Sequence, residues 1–372
     1  MRLERIVLRE IRLPLKEPFR ISSGEVRERR ILLLEMLDAG GASTWSECVA
    51  GETPNYSSET IDTSWIVLQQ WVAPRVLGRE FDHPGEVHDL LERDFRGHNM
   101  SKAAVEMGMW GLAALVAGEP LGRFIGGTRE QIATGISLGI QASPDALIEK
   151  ARAALTAGYR KVKIKIEPGR DVEWVAAARE ALGPGAHLMA DANNAYTLDD
   201  ADRLAQLDPL GLMMIEQPLA HDDLVRHAEL QKRLRTPICL DESITGLGKA
   251  QDMVTLGSGR IVNIKPGRVG GFSSAIAIHD FCQESGIPVW CGGMLESGVG
   301  RAYNVALASL PNFTLPGDVS PSARYWERDI VSPEWTMADG LVQVPLDRAG
   351  IGVEVDADRV GALSVRSVEL RP

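Results

Sequence analysis

"RKVKIKIEPG" occupies residues 160–169. Lys161, Lys163 and Lys165 alternate there with Val162, Ile164 and Ile166. Side chains of a strand point alternately to its two faces, so the lysines share one side and the aliphatics the other. Turned to solvent, a lysine face is ordinary. Turned to a protein interior, it needs a chemical purpose. The flanking sequence decides between these. From about residue 130, strand-like apolar runs at 132–139, 161–166, 187–191, 212–216, 238–241, 261–265, 287–291 and 313–315 alternate with amphipathic helical runs. Ser143-Pro144 reads as an N-cap with proline at the first helical position, Gly158 as the matching C-terminal cap, and Thr197 as a further N-cap. Eight strands with intervening helices predict a (β/α)8 barrel, against the alternative of an open doubly wound sheet.

Working outward, residues 1–125 have a different grammar. Strand-like runs at 5–15, 30–37 and about 42–50 precede helical patterns at 58–76 and 102–116. Strands followed by helices suggest a small α+β domain. The expected division is an α+β capping domain (1–125), the barrel (126–320) and a C-terminal segment (321–372) that packs back on the capping domain.

The chain has 372 residues, 44% hydrophobic and 24% charged, which suffices for a large core. A net charge of −11 argues against nucleic acid or an anionic membrane as partner, though local lysines can still bind a small anion. Four cysteines without a CxxC pair read as buried small hydrophobes in a reducing compartment. The N-terminus reads as a strand rather than a signal peptide, and the longest apolar stretch, 107–117, is too short to span a bilayer. A soluble cytoplasmic protein is expected.

Successive barrel strands end in ionisable residues: Lys163 and Lys165, then Asp191, Glu216, Asp241 with Glu242, and Lys265. From Asp191 onward the steps are 25, 25 and 24 residues, one βα unit each. Parallel strands of a barrel share one C-terminal rim, where active sites form, so these residues should meet. Carboxylates from three adjacent strands would repel one another and call for a cation. Oxygen ligands without histidine or cysteine suit a hard divalent ion, Mg2+ first and Mn2+ as an alternative. Strands two and six lie opposite in a ring of eight, so Lys165 and Lys265 would flank a substrate carboxylate. That suits abstraction of a proton α to the carboxylate. A free lysine has a pKa of about 10.4, whereas a useful base sits near about 7–8. Lys163, roughly 6.6 Å from Lys165 along the strand, and the metal would depress it. Lys161 lies deeper and is given a structural role at most. Taken singly, each of these short patterns has a plainer reading as a strand face, turn or helix start; in order and at βα spacing they point one way.

The strings "KIKIEPGRDV" (163–172), "DANNAYTLDDA" (191–201), "IEQPL" (215–219), "CLDES" (239–243), "NIKPGRVGG" (263–271), "PVWCGGMLESGVGRA" (288–302) and "LPGD" (315–318) resemble the enolase superfamily. The likeness is to its muconate-lactonizing subgroup, and within that to the N-acylamino acid racemases that are also o-succinylbenzoate synthases. The resemblance implies a modified barrel under an N-terminal cap completed by the C-terminal segment. It implies Asp191, Glu216 and Asp241 as metal ligands, Lys165 and Lys265 as the acid/base pair, and Lys163 as modulator. Glu242 would stand behind the ligands and Asn193 beside them, each with a plain turn or helix-start alternative. Gly293 and Met294, at a helix N-terminus, would suit a second substrate carboxylate. Ser137 and Asp318 are further substrate-binding candidates. Ser22, Ser23, Gly24, Glu52 and Tyr56 are candidates for a lid.

Dipeptide epimerases of this subgroup carry a DxD near strand eight, where this chain has Asp318-Val319-Ser320. Mandelate-racemase-like members use a His/Asp dyad where it has Lys265. The expected activities are racemisation of N-acyl or N-succinyl amino acids, dehydration to o-succinylbenzoate in menaquinone biosynthesis, or both. Muconate cycloisomerisation and dipeptide epimerisation are alternatives within the family. A Schiff-base barrel aldolase and a non-catalytic binding barrel are alternatives from other classes. The expected partners are a small carboxylate substrate and further copies of the chain in a homo-oligomer.

Overall fold

The run Ile31–Leu34 is apolar at every position because the strand holding it is covered on both faces. Leu32 and Leu34 belong to the core of the capping domain, whereas Ile31 and Leu33 belong to the core shared with the barrel. Strand Gly24–Asp38 lies between Leu3–Ile21 and Ser43–Cys48, and Ser364–Leu370 adds to the outer edge, all antiparallel. The computed structural model describes residues 1–21 and 24–372.

The first strand runs well past the predicted end at residue 15. The pairing slips between Pro14 and Phe19 and then resumes as a two-stranded arm, since Pro14 and Pro18 interrupt the ladder without ending the hairpin. The arm reaches over the barrel. Lys16 N donates to Tyr325 O at 2.9 Å, and Ile140 N donates to Arg20 O at 2.9 Å.

Helix Asn99–Ala117 fills the space between the capping sheet and the barrel and is buried from Met100 to Ala114. Gly108 and Gly111 allow that fit: a β-carbon at the first would overlap Met36 Sδ, and at the second would stand 2.6 Å from Tyr303 Oη.

The barrel sheet has seven parallel strands in sequential order: Ile136–Leu138, Val162–Lys165, Leu188–Asp191, Ile215–Glu216, Ile238–Leu240, Ile261–Ile264 and Val289–Cys291. Two expectations need correction. The predicted strand 132–139 is split: Gln131–Ala133 pairs antiparallel with Leu341–Gln343, and only Ile136–Leu138 joins the barrel. The predicted eighth strand, 313–315, is not a strand. Residues 313–318 form single bridges to both edge strands' neighbourhoods, Phe313 with Val289 and Gly317 with Thr134. Asp318 N donates to Cys291 O at 2.8 Å and Gly135 N to Gly317 O at 2.7 Å, so the ring closes irregularly. Pro316 has no N–H to give a regular ladder there. The C-terminal segment divides its pairing, with Leu341–Gln343 at the barrel start and Ser364–Leu370 on the cap.

Local signals hold where the sequence placed them. Ser143 Oγ accepts from Ala146 N at 3.2 Å, and Thr197 forms a capping box with Asp200.

Candidate active site

The strand register itself assembles the site. Lys165 pairs across from Asp191, Asp191 from Glu216, and Glu216 from Cys239. Residues in one cross-strand row of a parallel sheet point the same way, so Lys165, Asp191 and Glu216 point inward together and Asp241 follows two residues beyond Cys239. Lys163, Lys165, Asp191 and Lys265 line a cavity of about 60 Å3 with Ser137, Gly293, Asp318, Phe19, Leu295 and Tyr325. The lysine face of the opening stretch is therefore interior.

Each inward carboxylate has a cationic partner. Lys165 Nζ donates to Asp191 at 2.6 Å and to Asn193 Oδ1 at 2.6 Å. Lys163 Nζ lies 2.6 Å from Asp318, 3.1 Å from Glu216 and 3.3 Å from Asp191. Lys265 Nζ lies 2.8 Å from Asp241, whose other oxygen is held by Arg268. Asn263 Nδ2 donates to Glu216 Oε1 at 2.7 Å. The electrostatics follow. Burial opposes the charge on Lys163, but Asp318, Glu216 and Asp191 hold its pKa well above the ordinary lysine value. Burial and the Asp191 charge push Glu216 up, while Lys165 and Lys163 hold Asp191 down against its burial. Burial raises Asp318, but Lys161 and Lys163 bring it down to about 2.

Lys161 is fully buried, with Nζ 3.6 Å from the Trp290 ring centroid and 3.3 Å from Asp318. Burial lowers its pKa. The Trp290 face and the Asp318 carboxylate accommodate the charge at the floor of the site.

The remaining candidates divide. Asn193 bridges Lys165 and Glu242, donating to Glu242 Oε1 at 3.3 Å, and Asn194 adds a second donor at 3.1 Å. Burial raises the Glu242 pKa. Tyr56 Oη lies 3.0 Å from Asp241 and 3.1 Å from Lys265 Nζ, so this capping-domain residue is in the site. Glu52 is exposed and lines a different cleft, with residues 25–30. Gly24 opens the second strand opposite Ile21; Ser22 and Ser23 lie outside the described residues. Met294 does not line the cavity. It packs against the capping-domain core while its neighbours Gly293 and Leu295 line the site. Sequence reasoning missed Arg268, Asn263 and the pairing role of Asp318. Arg268 stands in the quoted "NIKPGRVGG", three residues after Lys265 on the short helix Pro266–Val269, and that spacing was the available signal.

Among the described residues, no three acidic, histidine or cysteine side chains are grouped as an ion-binding set. Ammonium groups of Lys163, Lys165 and Lys265 lie against oxygens of Glu216, Asp191 and Asp241. The donor set nevertheless fits a hard divalent ion. Asp191, Glu216 and Asp241 are each no more than 1% exposed, and Glu242 Oε2 is buried without a hydrogen-bond partner. Among the described residues no helix is long and apolar enough to cross a membrane.

Residues 146–359 match the family model for enolase C-terminal domain-like proteins, and residues 4–126 match the mandelate racemase / muconate lactonizing enzyme N-terminal domain. The chain is 49% identical to an o-succinylbenzoate synthase of Geobacillus kaustophilus over 358 residues, covering 96% of this chain and 95% of the relative. It is 46% identical to an N-succinylamino acid racemase of Thermus thermophilus, with 95% of each chain covered. The crystal structure of a Listeria innocua protein of the same superfamily superposes with a TM-score of 0.96 at 38% identity, covering 100% of this chain and 99% of that one.

Proposed function

The chain belongs to the enolase superfamily, in its mandelate racemase / muconate lactonizing branch, and from that premise we propose that it removes the proton α to the carboxylate of an N-succinylated amino acid or of the precursor of o-succinylbenzoate. Relatives bearing both names lie at 46–49% identity across nearly the whole chain. The observation that carries the reading is that Lys165 and Lys265 line one cavity, the first paired with the buried Asp191 and the second with the buried Asp241.

Asp191, Glu216 and Asp241 would hold the divalent ion, Mg2+ by their oxygen-only chemistry. When bound, that ion supplies positive charge to the substrate carboxylate as the α-proton leaves, and competes for the oxygens that now hold Lys165 and Lys265. In racemisation one lysine takes the α-proton from one face and the other returns a proton to the opposite face, so the substrate ends with the same atoms and inverted configuration. In dehydration Lys165 takes the α-proton and delivers one to the departing hydroxyl, which leaves as water, while Lys265 stays charged beside the enediolate. Lys163, held cationic by its three carboxylates, keeps positive charge on the same strand face as Lys165. Gly293 and Ser137 would contact the substrate from the cavity wall. Asn193 and Glu242 position Lys165 through the hydrogen bonds described above.

The test is exchange of the substrate α-hydrogen in D2O with Mg2+ present. Lys165→Ala is expected to abolish exchange; unchanged exchange would remove Lys165 from the mechanism. Parallel assays of N-succinylamino acid racemisation and o-succinylbenzoate formation then assign the products.

A further inference from the structure

We propose that Glu47, on the capping-domain strand Ser43–Cys48, is a positioning residue for the active site, acting through the loop 292–297 at the end of the seventh barrel strand. The inference rests on the function proposed above. Gly293 and Leu295 line the catalytic cavity. The residues between and after them are tied elsewhere. Met294 packs into the capping-domain core. Ser297 N and Ser297 Oγ donate to Glu47 Oε2 at 3.1 and 2.6 Å, and Gly300 N donates to the same oxygen at 3.1 Å. Glu47 is 1% exposed and comes from a different layer of the molecule.

The loop is also constrained from within. Leu295 has a φ of 56°, which a leucine adopts only when its surroundings enforce it. Glu296 Oε1 accepts from Met294 N and from Asn304 Nδ2, both at 2.8 Å, closing the loop around Leu295. A β-carbon on Gly300 would lie 2.8 Å from the Glu296 side chain and 2.9 Å from Glu47 Oε2, so the helix start accepts both glutamates only because residue 300 is glycine. Glu47 therefore fixes the helix start, Glu296 fixes the loop on that start, and the loop presents Gly293 and Leu295 to the cavity. The seating of the capping domain is transmitted to the substrate-facing wall along this chain of contacts.

A control with the same chemistry exists at the opposite end of the barrel. Asp208 accepts from Arg235 N, Thr236 N and Thr236 Oγ1 at 2.9, 2.8 and 2.7 Å, before strands Ile215–Glu216 and Ile238–Leu240 begin. Its loss removes a comparable set of hydrogen bonds without touching the cavity wall.

The experiment compares Glu47→Ala, Glu47→Asp, Glu47→Gln and Asp208→Ala in full-length enzyme with Mg2+, using both assays and a thermal melt. A misplacement of about 1 Å can cost on the order of 100-fold in rate. Glu47→Ala and Glu47→Asp are expected to lower kcat/KM by roughly tenfold or more, mostly through KM. Glu47→Gln keeps an acceptor oxygen at full side-chain length and is expected to stay within about threefold of the parent. Asp208→Ala is expected to lower the melting temperature and leave KM unchanged. Glu47→Asp opens the smaller gap, so it carries the test should Glu47→Ala not fold. An unchanged KM in Glu47→Ala and Glu47→Asp, or an equal KM shift in Asp208→Ala, overturns the inference while leaving the proposed function standing. A parent enzyme inactive in both assays overturns both.

Discussion

Replacing Lys163 with methionine keeps most of the side-chain volume and removes one charge from the crowded centre of the site. The Nζ of Lys163 is shared by Asp318, Glu216 and Asp191 at 2.6, 3.1 and 3.3 Å. Among the described residues the close partners left are the Asn263 amide for Glu216, at 2.7 Å, and Lys161 for Asp318, at 3.3 Å. Removing one member of a buried ion pair costs about 3–5 kcal/mol, because the remaining charge is stranded. With roughly 2.1 cal/mol/K of unfolding entropy per residue, that is about 4–6 °C in melting temperature for a chain of this length. A divalent cation at about 100 times its Kd returns roughly 2.7 kcal/mol, and should do more for the variant because its carboxylates have lost a competitor. The assay is a thermal melt of Lys163→Met and parent, each stripped with chelator and then titrated with Mg2+. The variant should melt lower when stripped and gain more from Mg2+. Equal melting of the stripped proteins would refute the claim that Lys163 compensates these carboxylates. No gain from Mg2+ in either would refute the carboxylates as a cation site.

Three further predictions follow from other parts of the structure. Lys265→Ala should lose racemisation by at least about 100-fold while one enantiomer still exchanges its α-hydrogen in D2O through Lys165; loss of exchange from both enantiomers would mean that the lysines do not act on separate faces. Burial, together with the Glu296 charge, pushes the Glu47 carboxyl from 4.5 up to about 8, despite its hydrogen bonds from Ser297 and Gly300. The folded state then holds a proton that the unfolded chain releases, so stability is full below the unfolded pKa and declines as pH rises toward the folded one. Between about pH 5 and 8 the parent's melting temperature should fall relative to Glu47→Gln, and parallel curves would exclude Glu47 as the titrating group. Gly300→Ala should destabilise by about 1–3 kcal/mol through overpacking against Glu296 and Glu47, read as a lower denaturation midpoint.

What could be read from the sequence was what repeats. The alternation in 160–169 and the spacing of Asp191, Glu216, Asp241 and Lys265 encode strand period and βα period, and those placed the site on one rim. What resisted reading was set by contacts between distant segments. Thr134 and Gly135 break the predicted first strand because the chain must cross from pairing with Leu341–Gln343 to pairing with Val162–Lys165, and no local pattern records that partner change. Asn263 and Arg268 reach the carboxylates from the sixth strand and the short helix after it, and their roles depend on which side chains face them across the ring. Tyr56 belonged to a group of lid residues by position, yet its hydroxyl sits between Asp241 and Lys265. Met294 reads as a substrate contact from its glycines and the helix N-terminus that follows, although its side chain packs against the capping-domain core.

The irregular closure at 313–318 has a consequence for how the rim can change. Lys165, Asp191 and Glu216 are bound to a strand register, where an insertion of one residue would turn the inward set outward. Asp318 is not bound in this way. It reaches the interior from a segment anchored by single bridges at Phe313 and Gly317. A change of length there shifts the charge that meets Lys161 and Lys163 without changing the register of a strand. Beside strands held in register, the irregular closure is a place where a rim charge can move without a strand moving with it.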